Sequence, residues 1–356
     1  MPSSGDILRS SRPVFRIDSQ DQTALGLGLL EMVVEDDVDG LCRGQVTFGN
    51  WGPVQDTTGF LYFDRSLLEF GKDFEITFDG TSLFQGQIVA IEGDFPEGEP
   101  PRITVLADDR LQDLRMTRRT HSWESSTDAD VIRAIAQNHG LSPQIDLNGP
   151  THPAIAQVNQ SDLAFVREQV RAAGGELWVE GTNFFAKARP ARNQTPVPNL
   201  SHGRNRRSFV VTADLAHQRT KVCVSGWDVS AKDTVTHEAE VAVLGSEVGN
   251  GDSGPSVRQS TLGARVDTIV HTAARDSSAA EAVANGYFRG IARRFLVGHG
   301  VAEGDPTLRV GREVEIEGVG PLFSGNYVLV QTRHTFTAAD GYRTEFTVER
   351  AALGKP

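Results

Sequence analysis

Two cysteines in 356 residues, Cys42 and Cys223, leave no disulfide framework, and neither stands at a metal-binding spacing. Both fall in alternating strand patterns and read as small buried hydrophobes, with no support for pairing to one another. No stretch approaches the roughly 20 apolar residues that a membrane helix needs. Met1 to Pro13 has no apolar core of the kind a secretory signal carries, so assembly in a cytoplasm is expected. An excess of positive charge is also missing. Lys and Arg number 35 against 47 Asp and Glu, a formal net charge of −12, which argues against a chain that coats nucleic acid. The local basic run Arg204-Asn205-Arg206-Arg207 lacks interleaved aromatics and reads as an ion-pairing surface or a subunit contact.

Recognisable chemistry is equally sparse. The nine histidines are scattered without metal-ligand spacing, so no metal site and no cofactor is expected. His334 reads as an ordinary strand residue. The acidic pairs Asp36-Asp37 and Asp108-Asp109 read as solvated turns at strand ends. No Gly-x-x-x-x-Gly-Lys phosphate loop occurs. One motif looks catalytic: Gly251-Asp252-Ser253-Gly254-Pro255 resembles the nucleophile loop of chymotrypsin-like serine proteases. That chemistry needs a histidine base, which in that family precedes the serine. His271 follows it, and no matching histidine context lies upstream. A glycine-rich loop from Gly249 to Pro255 explains the same residues through turn geometry.

What the chain does contain is glycine (36 residues, against 3 methionines) and a repeated β-unit. Gly71-Lys72-Asp73-Phe74-Glu75-Ile76, a turn, and Leu83-Phe84-Gln85-Gly86-Gln87-Ile88-Val89 form the first copy. Gly311-Arg312-Glu313-Val314-Glu315-Ile316, a turn, and Leu322-Phe323-Ser324-Gly325-Asn326-Tyr327-Val328 form the second. Gly311 follows Gly71 by 240 residues and Leu322 follows Leu83 by 239, so the match implies one residue lost in the second turn. Ten positions carry the repeat: Gly71, Glu75, Leu83, Phe84 and Gly86, then Gly311, Glu315, Leu322, Phe323 and Gly325. A chain that builds one β-unit twice presents six similar units as a trimer, which points to adapting one symmetry to another.

The fold class expected is α+β, mainly β. Residues 14–48 read as strands, with Cys42, Gly44, Val46 and Phe48 alternating against polar neighbours. Residues 1–112 form a first antiparallel β-domain containing the first repeat copy. An inserted α+β module spans 113–198. In it Thr127 and Asp130 form a capping box ahead of a helix carrying Val131, Ile132, Ile135 and Ala136. A second helix from Ser161-Asp162 places Leu163, Val166, Val170 and Ala173 on one stripe, and a hairpin turns at Gly181-Thr182-Asn183. Residues 190–207 read as a linker. A second β-domain covers 199–356, with a long helix over 277–297 and a final hairpin turning at Ala339-Asp340-Gly341.

Several stretches in order resemble one family: the hub proteins of contractile tails, comprising the late control protein D proteins of tailed phages and VgrG-type hubs of injection systems. The carriers are Asp79-Gly80-Thr81-Ser82-Leu83-Phe84-Gln85-Gly86-Gln87-Ile88, then Gln160-Ser161-Asp162-Leu163-Ala164-Phe165-Val166 with Gly175-Glu176-Leu177-Trp178-Val179. Val224-Ser225-Gly226-Trp227-Asp228 with Lys232 follows, then Gly320-Pro321-Leu322-Phe323-Ser324-Gly325-Asn326-Tyr327 and Gly341-Tyr342-Arg343-Thr344-Glu345-Phe346.

The resemblance implies that both β-domains are tube-like antiparallel barrels. It implies a non-enzymatic homotrimer whose pseudo-sixfold ring joins the hexameric inner tube protein to a trimeric spike. VgrG-type members continue into a fused spike. This sequence stops at Pro356 without one, so a separate spike protein is expected, along with other baseplate components such as a LysM-type protein. Part of the −12 charge is expected to line a central channel. No nucleic-acid recognition and no membrane insertion are implied. Two readings compete: a serine hydrolase using Ser253, and a receptor- or carbohydrate-binding tip protein. The second requires an exposed aromatic patch, whereas three of Trp51, Trp123, Trp178 and Trp227 sit where core residues are expected.

Overall fold

Strand formation in the N-terminal part follows from period-two burial. In the computed structural model, which describes residues 12–38, 40–189, 197–228, 231–270, 274 and 276–355, Gly44, Val46 and Phe48 face inward between exposed or half-buried neighbours. The chain forms two units. The first contains the residues up to Arg110, together with Ala302–Arg309 and Thr332–Glu345. Its elements are β1 (Val14–Ile17), β2 (Gln20–Asp21), α1 (Thr23–Gly28), β3 (Leu29–Asp37), β4 (Arg43–Gly49), β5 (Trp51–Val54), β6 (Thr57–Phe60), β7 (Asp73–Phe78), β8 (Thr81–Asp94) and β9 (Arg102–Asp108). The sheet runs β3-β4-β9-β8-β7-β1-β2, with antiparallel pairing throughout. The short helix α1 interrupts a region whose sequence reads as strand. Its single buried residue, Leu25, joins the core.

That core gathers Phe15, Met32, Val46, Phe48, Phe74, Ile76 and Phe84, with Phe336 and Tyr342 from the late segment of the same unit. Phe15 meets Phe48 edge-on at 5.2 Å and stacks on Phe74 at 6.0 Å. β5 and β6 form a separate two-stranded ribbon. Asn50, fully buried at its root, accepts the Leu61 and Tyr62 N–H groups on Oδ1 (3.0 and 2.8 Å).

The second unit takes the remaining residues. It opens with α2 (Gln112–Arg115), β10 (Arg118–Thr127), α3 (Asp128–Asn138), β11 (Ser142–Asp146), β12 (Thr151–Ser161), α4 (Asp162–Ala172), β13 (Gly175–Glu180) and β14 (Asn183–Ala188). Thr127 caps α3 through the reciprocal bonds with Asp130 that the sequence predicts, and Ser161 caps α4. The 11-residue faces bury Val131, Ile132, Ile135 and Ala136 in α3 and Leu163, Phe165, Val166 and Val170 in α4. β11 pairs in parallel with β14, which closes a hairpin with β13. The antiparallel β10–β12 ribbon, with Trp123 stacked on Phe165 at 5.5 Å, has no counterpart in the sequence reading.

There follow β15 (Asn199–Ser201), β16 (Arg206–Ala213), β17 (Lys221–Asp228), β18 (Asp233–Ala239), a 3₁₀ helix (Val241–Val248), β19 (Asp252–Ser253), α5 (Gly254–Leu262), β20 (Val266–Ile269) and α6 (Ser277–Arg293). The unit ends with β21 (Leu296–Glu303), β22 (Glu313–Glu317), β23 (Gly325–Thr337), β24 (Gly341–Arg350) and β25 (Ala352–Leu353), parts of β21, β23 and β24 belonging to the first unit.

Two boundaries differ from expectation. The presumed linker over 190–207 contains β15, which pairs in parallel with β22, and the start of β16; residues 190–196 lie outside the described residues. The long helix stops at Arg293 rather than 297, because Leu296 opens the alternating strand β21. Asp276 caps α6, which buries Ala280, Ala284, Phe288 and Ala292 against Val222 and Val224 of β17. Among the described residues no helix is long and apolar enough to cross a membrane.

Candidate functional site

Both copies of the repeat fold as antiparallel hairpins. β7 pairs with β8 through Phe74↔Gly86, Glu75↔Gln85 and Ile76↔Phe84, and β22 with β23 through Val314↔Tyr327, Glu315↔Asn326 and Ile316↔Gly325. The two glycines that open the copies do one job. Gly71 N–H donates to Ile88 O (2.8 Å) while Ile88 N–H donates to Lys72 O (3.1 Å). Gly311 N–H donates to Leu329 O (2.7 Å) while Leu329 N–H donates to Arg312 O (2.9 Å). Both glycines have positive φ, 79° and 80°, which explains the residue type.

The register corrects the match of the second strands. Tyr327, not Gly325, takes the place of Gly86 opposite the first strand, so the second turn is longer rather than shorter. Asp79 and Gly80, both at positive φ (48° and 77°), make a two-residue turn, and Leu83 and Phe84 enter the strand fully buried. In the second copy residues 318–324 form the connection, so Leu322 and Phe323 lie in a turn, with Leu322 exposed. The two aligned glycines also differ in role. A Cβ on Gly86 would lie 2.2 Å from Asp108 O, whereas Gly325 begins β23 at φ +136° beside Arg350.

The middle glutamates face their flanking strands in both copies. Glu75 takes Arg16 of β1 (3.4 Å) and Gln85 (2.9 Å), and Glu315 takes Asn199 of β15 (3.0 Å). β1 runs antiparallel to β7, while β15 runs parallel to β22. Two arginines invisible to sequence reasoning hold the chain where it leaves each turn. Arg309 Nη1 donates to Ser82 O and Leu83 O (2.9 and 2.8 Å), and Arg350 Nη1 donates to Ser324 O (2.9 Å). Arg309 lies 227 residues from Ser82, a separation no local pattern reveals. The strand order around the hairpins repeats as well: β7-β8-β9-β4-β3 in one case, β22-β23-β24-β21-β16 in the other.

Beside the first hairpin lies a buried polar group. His334 donates from Nε2 to Leu308 O (3.1 Å), which leaves Nδ1 to accept from Tyr342 OH (2.9 Å) and Thr344 Oγ1 (3.1 Å). Burial, reinforced by the Arg309 charge, lowers the imidazole from its ordinary value to about 3. Burial likewise raises the Tyr342 phenol. Tyr342 packs on Phe78, ring centroids 4.1 Å apart.

The other candidates fall elsewhere. Ser253 is 1% exposed and caps α5, accepting the Ser256 N–H and donating to Ser256 Oγ. Its hydroxyl is engaged in capping, which does not suit a nucleophile; His271 lies outside the described residues. Asp108 and Asp109 are buried, not solvated: Asp109 accepts the Cys42 N–H (2.8 Å) and Asp108 pairs with Arg43 (3.0 Å). The basic run splits, with Arg204 and Arg207 exposed and Arg206 buried, donating to Glu317 O (3.0 Å). The tryptophans also depart from expectation. Trp51 and Trp227 are exposed, and Trp123 and Trp178 are half-buried. Among the described residues, no group of three His, Cys, Asp or Glu side chains is placed to hold a metal ion.

The fold is shared with solved tail proteins. The 43 kDa tail protein of prophage MuSo2 from Shewanella oneidensis matches with TM-score 0.71 and 11% identity, covering 96% of this chain and 99% of that one. A tail protein from Neisseria meningitidis MC58 matches with TM-score 0.70 and 13% identity, covering 96% of each. The E. coli c3393 protein is described as a type VI secretion component with structural similarity to the T4 tail proteins gp27 and gp5. It matches with TM-score 0.53 and 12% identity, covering 92% of this chain and 76% of that one. No curated protein matches the chain in sequence. A family model, by contrast, covers residues 27–338, and by that match the chain belongs to the family described as the Alg8 N-terminal domain.

Proposed function

We propose that the chain is a structural, non-enzymatic hub protein of a phage tail or contractile injection baseplate. In this reading it assembles as a homotrimer whose two β-domains per chain form a pseudo-sixfold ring of tube-like barrels. The ring meets the hexameric inner tube protein on one side and a separate trimeric spike on the other. The observation that carries the reading is the duplicated strand order around two hairpins within one chain, in a fold shared with tail proteins. An interface used six times must be nearly the same six times, and duplication supplies that from three chains. Membership of the Alg8 N-terminal domain family supplies a domain name and no reaction, so the near-complete fold match guides the choice. The capping role of Ser253 favours this reading over a serine hydrolase. Mass measurement of the purified protein tests it: a particle of three chain masses is expected, and a stable dimer is incompatible with it.

A further inference from the structure

The repeated strand order does not end in the same way on its two paths. β3, the last strand of the first path, has a strand on each edge, β4 on one and β23 on the other. β23 can take it because the short β22 pairs only with residues 325–328. Further along β23, Arg333 reaches Glu35 of β3 (3.0 Å), and Phe336 joins the first unit's core. The strands in the equivalent places lack this partner. β16 stands where β3 does, and pairs with β21 alone among the described residues. β8 stands where β23 does. β7 pairs with it only as far as Gln87 and β9 takes its other edge, so one edge of residues 89–94 faces no strand among the described residues.

Open edges are templates for another chain, and natural sheets blunt them with charge or proline. β16 carries neither over residues 208–213, which read Ser-Phe-Val-Val-Thr-Ala, and Val210 is 68% exposed. Its backbone is oriented for pairing. The Asp214 N–H donates to Phe295 O (2.9 Å), and Ser208 O lies beside Gly300 of β21. Strand alternation then turns the N–H and C=O groups of Phe209, Val211 and Ala213 away from β21, to the open edge. The chain thus carries two unlike open edges, and the strands equivalent to them are paired to each other within it. Two unlike patches per chain make a head-to-tail contact, the kind that closes a ring of identical copies.

We propose that β16 of one copy pairs with the open edge of β8, over residues 89–94, in a second copy, repeating between chains the junction that β3 and β23 make within one. This rests on the trimeric hub reading above. The test reads hydrogen exchange at single residues in the wild-type trimer, together with the mass of Val211→Pro. The amides of Phe209, Val211 and Ala213 should exchange as slowly as the paired amides of β3, and so should those over 89–94 that are turned away from β9. Val211→Pro removes one outward donor and leaves the bonds to β21, so it should weaken trimerisation at least about 10-fold. Circular dichroism checks that the variant is folded; if it is not, the exchange measurement decides alone. A wild-type trimer whose two edges exchange as fast as unpaired backbone, or a folded Val211→Pro that trimerises as well as wild type, overturns the pairing and leaves the hub reading standing. Slow exchange on β16 with fast exchange over 89–94 also overturns it, by giving β16 to a different strand. A wild-type protein that never trimerises removes the hub reading itself, and this contact with it.

Discussion

Acidification should destabilise the first unit through a single imidazole. His334 is buried, and its two ring nitrogens are committed to Leu308 O on one side and to Tyr342 and Thr344 on the other. The charged neighbour Arg309 also opposes protonation. The folded value of about 3 lies below the ordinary 6.5, so between these limits the unfolded chain binds a proton that the folded chain refuses. Stability from this group is therefore complete above pH 6.5 and is lost as pH falls towards 3. Linkage gives about 1 kcal/mol lost at pH 5.5 and about 3 kcal/mol at pH 4.5, rising to about 5 kcal/mol below pH 3. The assay is urea unfolding of wild type and His334→Gln at pH 7.5, 5.5 and 4.5. Other titrating groups contribute equally to both proteins, so the difference between them isolates His334. The gap should narrow by roughly those amounts as pH falls. A gap that stays constant over this range refutes the assignment.

Other perturbations follow from the same geometry. Gly86→Ala should cost about 1–3 kcal/mol, because its Cβ meets a strand carbonyl at 2.2 Å. Gly71→Ala has room but strained φ, so about 1 kcal/mol is expected; chemical denaturation ranks the two. Arg189→Met should destabilise the second unit by about 3–5 kcal/mol, since it strands the buried Glu176 and Glu349 that Arg189 bridges. Adding Glu176→Gln and Glu349→Gln should recover part of that loss in thermal melts. Ser253→Ala should cost about 1 kcal/mol through the lost cap, and the wild type should take no label from a serine-reactive fluorophosphonate.

Much of the secondary structure was legible because local signals agreed with the fold. The Thr127–Asp130 box, the Ser161 cap and the alternation through Val46 and Phe48 each rest on residues within a few positions of one another. What stayed hidden depends on distant partners. Asp108 and Asp109 look like a solvated turn until Arg43 and the Cys42 N–H arrive from β4 and the residues before it. Arg309 is unremarkable in sequence yet holds the start of β8. The exposed Trp227 reads as core because a strand pattern alone does not show which face of β17 stays open. The candidate site was half legible: both hairpins were visible, while their register was not.

That register error shows where the duplication is kept. Sequence similarity aligns Leu83-Phe84-x-Gly86 with Leu322-Phe323-x-Gly325, but in the second copy these residues form the turn and its exit. The conserved relation is in backbone geometry instead. Gly71 and Gly311 make the same pair of bonds, Glu75 and Glu315 each reach a flanking strand, and an arginine from elsewhere holds the chain where it leaves each turn. Interior volume is redistributed across the pair: Phe74 faces Gly86 in one hairpin, and Val314 faces Tyr327 in the other. One large and one small partner fill each space, with the strands exchanging roles, which is how packing density survives divergence of side chains. The two hairpin tips are left free to differ, two residues at Asp79-Gly80 against seven over 318–324. In the hub reading proposed above, a ring built from both copies is six-fold in its strands and three-fold at its hairpin tips, the combination an adaptor between a hexamer and a trimer requires.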